Sequence, residues 1–130
     1  KASDIMRRPV VAATPTATAR DVAIQLLMGE FSGVPIAQSD GSVVGIVTEL
    51  DLIRAVLRAG KALETTLAQD IMTRDVTTVD RETPMEDVMR VLEEKNIIRV
   101  PVTEQGKLVG VISRTDILRA MIEPTFLRFA

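Results

Sequence analysis

At 130 residues, the chain has the size of one domain, and folding should remove roughly two-thirds of the extended chain's surface from water, enough for a core without covalent staples. It has no cysteine and 46% hydrophobic residues, which excludes a disulfide framework, a Cys-based zinc site and a thiol nucleophile, and fits a reducing, cytoplasmic setting. The 16 basic and 18 acidic residues leave a net charge of −2 with no basic stripe, and three phenylalanines are the only aromatics, so nucleic acid is not expected as a partner.

No apolar run approaches the roughly 18 to 20 residues that a membrane span needs, and the opening KASDIMRRPV lacks a signal-peptide core. Because the sequence begins with Lys1 rather than Met, either a trimmed chain or a piece cut from a longer polypeptide is expected.

In chain order, the dominant signal is an internal repeat. Asp4-Ile5-Met6 returns as Asp70-Ile71-Met72, Asp21-Val22 as Asp87-Val88, and Val34-Pro35 as Val100-Pro101, all 66 residues apart. After the turns at Ser39-Asp40-Gly41 and Gln105-Gly106 the spacing falls to 65: Val44-Gly45 matches Val109-Gly110, Asp51 matches Asp116, and Arg54-Ala55 matches Arg119-Ala120. A residue gained or lost in a turn is cheap.

Each copy reads as strand, helix, strand, strand, helix. Val10 to Ala13 and the β-branched Val76-Thr77-Thr78-Val79 predict the first strands. Thr83-Pro84-Met85-Glu86 predicts a helix start with Thr83 as cap and Pro84 at the first helical position. Val22, Leu26 and Leu27, and then Val88, Val91 and Leu92, mark the apolar faces of these helices. A hairpin follows, Val34 to Ala37 with Val43 to Val47, and Arg99 to Thr103 with Leu108 to Ile112. The closing helices carry Leu52, Ile53, Val56 and Leu57, and Ile117, Leu118, Met121 and Ile122, predicted to pack on the sheets.

The expected fold class is α+β: two β-α-β-β-α repeats packed with pseudo-twofold symmetry, since a copy of roughly 55 residues buries little surface alone. The boundaries are residues 1–61 for the first repeat, 62–67 for a linker, 68–123 for the second repeat and 124–130 for a C-terminal tail.

GIVTELD (Gly45 to Asp51) and GVISRTD (Gly110 to Asp116), each after a Val-Pro strand and before an amphipathic helix, resemble the signature of the CBS domain. The resemblance runs from Asp4 to about Ile122 as two consecutive copies, similar to a Bateman module. It implies a regulatory unit that binds an adenosine-containing ligand, AMP, ADP, ATP or S-adenosylmethionine, in clefts between the copies, with no required cofactor. Physically, Thr48 and Ser113 stand at strand-to-helix junctions where helix N-termini attract a phosphate. Asp51 and Asp116, three residues on, suit a ribose diol. The same pairs also read as ordinary capping boxes, and the two roles can coexist.

The resemblance further implies that adenine lies against the first strand and the Val-Pro segment, hence near Val10, Val11, Val34 and Pro35 in one copy and Val76, Thr77, Val100 and Pro101 in the other. These positions also read as plain core strands. Copy two adds Arg99 and Arg114 as phosphate contacts, where copy one has Gly33 and Glu49. One good site centred on Ser113 and Asp116 is expected, with a weaker or unused one at Thr48 and Asp51, and Arg54 and Arg119 are read as solvated charges.

No catalytic residue or metal ligand is assigned: there is no His or Cys and no Walker-type segment, and the carboxylates read as caps and solvated faces. A ligand-sensing module is therefore expected to signal by a change of shape or assembly to a regulated protein in cis or in trans. The alternative is a structural dimerisation module without a nucleotide. A homodimer is expected in both cases, and the segment Phe126-Leu127-Arg128-Phe129 reads as a further sticky element or a frayed tail.

Overall fold

The computed structural model describes every residue except 9, 30–32 and 130, and only the backbone of 124–129. The chain forms two compact units, Val11–Val76, and Lys1–Val10 together with Thr77–Ala130. Both are α+β.

In the unit Val11–Val76, α2 (Ala19–Gly29) leads into the antiparallel hairpin of β1 (Gly33–Ala37) and β2 (Val43–Thr48), then α3 (Glu49–Ala59) and the single turn α4 (Ala68–Ile71). Val34 pairs with Val47 and Pro35 with Ile46. The Thr18 hydroxyl caps α2 by accepting from the Asp21 N–H at 3.1 Å. α3 ends at Gly60, whose φ of 62° is left-handed and therefore favours a residue without Cβ. The core gathers Val22, Leu26, Val34, Ile36, Val47 and Leu52.

The other unit begins with the turn α1 (Ala2–Ile5) and resumes at β3 (Val79–Asp80), followed by α5 (Met85–Glu94), β4 (Arg99–Glu104), β5 (Lys107–Ser113) and α6 (Arg114–Phe129). β3 lies parallel to β4, and β4 antiparallel to β5 with Val100 opposite Ile112 and Pro101 opposite Val111. Val79, Val88, Leu92, Val100, Val102, Ile112 and Ile117 form its core.

The spatial units cut across the sequence copies at their leading turns. Ala2 N–H donates to the Thr83 carbonyl at 2.7 Å and Ser3 N–H to Arg81 at 2.9 Å, while Ala68 N–H donates to Ala17 at 2.8 Å and Gln69 N–H to Pro15 at 3.0 Å. These are matching bonds at matching positions, so each copy's Asp-Ile-Met turn docks on the strands and helices of the other copy. Both turns bury their first alanine, Ala2 or Ala68, completely.

Three local expectations are corrected. The first strands are shorter than predicted: in one copy only Ala13 bridges, to Ile36, and in the other only Val79–Asp80 pairs, with Val102 and Thr103. Thr83 is not the cap and Pro84 is not the first helical residue: Pro84 holds the N-cap position without a side-chain cap bond, and the helix starts at Met85. Leu27 is 80% exposed, so the buried face of α2 is Val22 and Leu26.

Among the described apolar residues of the closing helices, Leu52, Ala55 and Ile117 are buried, while Ile53, Val56, Leu57, Leu118, Met121 and Ile122 remain exposed. α6 continues through Pro124 to Phe129. The side chains of Phe126, Leu127 and Phe129 lie outside the described residues. No helix among the described residues is long and apolar enough to cross a membrane.

Candidate functional site

Both Gly-x-x-Ser/Thr-x-x-Asp segments end a strand and start a helix, and both close as capping boxes. At α3 the Asp51 N–H donates to Thr48 Oγ1 at 3.2 Å and Asp51 Oδ2 accepts from the Thr48 N–H at 2.9 Å. At α6 the Asp116 N–H donates to Ser113 Oγ at 3.1 Å and Asp116 Oδ2 accepts from the Ser113 N–H at 2.9 Å. Each box satisfies helix N–H groups that would otherwise lack partners.

The glycine opening each segment has a steric reason. A Cβ on Gly110 would stand 2.7 Å from Met6 Cγ, and one on Gly45 would stand 2.7 Å from Met72 Cγ. The methionine of each leading turn lies flat on the glycine of the strand it docks against. The next residue carries the chain along that strand: the Arg7 N–H donates to Val111 and the Thr73 N–H to Ile46.

From this register the side chains of Arg7 and Thr73, 66 positions apart, reach the two aspartates. Thr73 Oγ1 donates to Asp51 at 3.1 Å on Oδ1 and 3.3 Å on Oδ2. Arg7 Nε donates to Asp116 Oδ1 at 2.7 Å, and the same oxygen accepts from an Arg119 terminal nitrogen at 3.1 Å. The Asp116 side chain is only 4% exposed. Burial pushes its carboxyl pKa up, but the Ser113 N–H, Arg7 and the Ser113 hydroxyl outweigh burial and hold it below the ordinary value. Arg99, half-buried on β4, has its pKa lowered by burial, against the pull of Asp116 and with the repulsion of Arg7. Three arginines therefore act on one carboxylate.

Arg7, Asp116 and Arg119 open onto a cavity of about 580 Å³ whose other walls include Asp4, Ile5, Ala120 and Glu123. Of the residues singled out in the sequence, Asp116 lines this cavity, Ser113 is bonded to it and Arg99 lies within its electrostatic reach. Arg114 is held elsewhere: its Nε donates to the Ile97 carbonyl at 2.9 Å and a terminal nitrogen to Asn96 at 3.2 Å. Arg119, read as a solvated charge, instead pairs with Asp116 and, at 3.5 Å, with Glu123. Val34, Pro35, Val100 and Pro101 are buried strand residues, Val10, Val76 and Thr77 are half-buried, and Val11 is exposed. In the other unit Thr48 and Asp51 stand with Thr73.

Sequence reasoning missed Arg7 and Thr73. The Asp-Ile-Met register, extended by one residue, sets Arg7 opposite Thr73 in the repeat, but no spacing says that either meets an aspartate.

The family model of the CBS domain matches residues 2–58 and again 68–123. The Methanopyrus kandleri protein MK0525 is 32% identical over 122 residues, which cover 93% of this chain but 61% of that relative's length. Among solved structures, CBSX2 in complex with AMP is 27% identical with a TM-score of 0.83, over 95% of this chain and 97% of that one. The CBS domain pair of protein MJ0100, in complex with 5′-methylthioadenosine and S-adenosyl-L-methionine, is 28% identical with a TM-score of 0.80, over 95% and 96% of the two chains.

Proposed function

The chain belongs to the CBS domain family, of which it carries two copies, and from that membership we propose that it is a regulatory module that senses an adenosine-containing ligand rather than an enzyme. The observation that carries this reading is the Ser113–Asp116 corner: a buried carboxylate kept ionised beside a helix N-terminus, with Arg99 and Arg119 close by. A ribose diol suits the carboxylate, and a phosphate suits the helix N-terminus and the arginines.

In this reading the better site uses Ser113, Asp116 and Arg99, with Val76, Thr77, Val100 and Pro101 toward the base. The Thr48 and Asp51 corner, with Val10, Val11, Val34 and Pro35, is the weaker one, because its matching positions offer Thr73 and Gly33 in place of Arg7 and Arg99. AMP, ADP, ATP and S-adenosylmethionine are the candidate ligands, and the complexes of CBSX2 and of protein MJ0100 support that class. Occupancy would act on a regulated protein, in the same polypeptide or another, through a shift between two arrangements that bind the ligand unequally. A cytoplasmic setting accords with a chain without cysteine. The exposed Ile53, Leu57, Leu118 and Ile122 support a homodimer.

Thermal unfolding with AMP, ADP, ATP and S-adenosylmethionine tests the reading on the wild type, Asp116→Ala and Asp51→Ala. A ligand at a hundred times its Kd stabilises by about 2.7 kcal/mol, a rise of several degrees. The rise should vanish in Asp116→Ala and largely survive in Asp51→Ala. Equal losses would remove the asymmetry, and no rise with any ligand would leave a dimerising scaffold as the function.

A further inference from the structure

A carboxylate offers about two acceptor positions on each oxygen. On Asp116, Oδ2 takes the Ser113 N–H at 2.9 Å, while Oδ1 takes both Arg7 Nε at 2.7 Å and Arg119 at 3.1 Å. A vicinal diol that sets one hydroxyl on each oxygen therefore finds Oδ1 filled, and one arginine must leave.

The two arginines are not equally held. Arg119 sits on the same helix as Asp116, three residues on, and is also paired with Glu123 at 3.5 Å. Arg7 follows α1, and its side chain is 61% exposed against 43% for Arg119, so of the two it is the more readily released to water. Its backbone N–H stays on Val111 at 2.9 Å, so a displaced guanidinium remains at the mouth of the same cavity. Of the acids lining that cavity, Glu123 is already engaged by Arg119 at 3.5 Å.

We propose that Arg7 is a specificity-determining residue of the Asp116 corner: it occupies the carboxylate until a ligand's diol displaces it, and then turns to the ligand's phosphate. The corner consequently selects phosphorylated adenosyl ligands over unphosphorylated ones. A ligand with a diol and no phosphate must displace Arg7 without recompense, whereas one with both exchanges a carboxylate for a phosphate as the guanidinium's partner. The Asp51 corner lacks this discrimination, because Thr73 is neutral and its single hydroxyl proton is given to Asp51. The inference rests on the adenosyl-site reading above, and adds to it the ligand class and a residue from the leading turn.

The test is calorimetric titration of adenosine and of AMP into the full chain as wild type, Arg7→Ala and Arg7→Lys. Wild type should prefer AMP by at least about tenfold, the worth of one charge-assisted contact. Arg7→Ala should bind adenosine about three- to tenfold more tightly, by loss of the competitor, and its preference for AMP should shrink by about tenfold. Arg7→Lys, which keeps the charge without the fork, should fall between them and serves if the alanine variant folds poorly. If both ligands change by the same factor, or neither changes, Arg7 is only structural and this inference is overturned while the adenosyl site stands. If neither adenosine nor AMP binds any of the three proteins, both readings are overturned.

Discussion

Burying a carboxylate costs several kcal/mol unless donors surround it, and Asp116 meets that cost with the Ser113 N–H, Arg7 and Arg119. The linkage has a definite sign. The folded-state pKa lies below the ordinary 3.8, so the ionic contribution is fully present above about pH 4 and is lost as the pH falls through the lower folded value. Asp116→Asn keeps the cap geometry but not the charge. It should cost about 1–2 kcal/mol at pH 6, and the gap to wild type should close below about pH 4. Thermal melts from pH 6 down to pH 2.5 measure this, and a gap independent of pH would show that the charge contributes nothing. The residue itself was legible in the sequence, because a Ser-x-x-Asp pair before an apolar helix is a local pattern. Its arginine partners were not, apart from Arg99.

At the scale of elements, the glycine of each repeat motif and the methionine of each leading turn form one device. Gly110 leaves room for Met6, and the flat contact sets the register from which Arg7 reaches Asp116. Gly110→Val should therefore destabilise by about 2–3 kcal/mol through overpacking. Met6→Ala in the same chain should recover part of that loss, because the two side chains share one space. Urea unfolding of the two single variants and the double variant reads the coupling, and strict additivity would refute the shared contact. The repeat made both residues visible in the sequence, as Asp-Ile-Met and as Gly-x-x-Ser/Thr. Nothing in their spacing said that they touch. The helix faces were read less well: Leu27 has the spacing of Val22 and Leu26, yet the packed stripe is narrower than the apolar one.

At the scale of the whole molecule, two sequence copies become two units that exchange their leading turns. Several apolar residues unused by either core lie on the closing helices, with Leu57 77% exposed and Ile122 61% exposed. Removing such side chains from water contributes about 1.5–3 kcal/mol each. The proposed homodimer, if it uses α3, should consequently be weakened by more than tenfold when Ile53 and Leu57 are both changed to Glu, without loss of helix content. Light scattering across a dilution series would show it, and an unchanged mass would place the interface elsewhere or remove it.

By itself the sequence determined the duplication, the α+β class, the two hairpins and the two capped strand-to-helix junctions. All of these are written in periodicity, in turn residues and in pairs three positions apart, where the physics is local. Tertiary structure alone decided that Arg7 meets Asp116 across 109 residues of chain, that Arg114 turns to Ile97 and Asn96, and that the first strands shrink to a bridge at Ala13 and a pair at Val79. Contacts of that separation leave no spacing in the sequence to read. They depend on which strand edge and which cavity wall the fold brings within about 3 Å, the reach of a hydrogen bond.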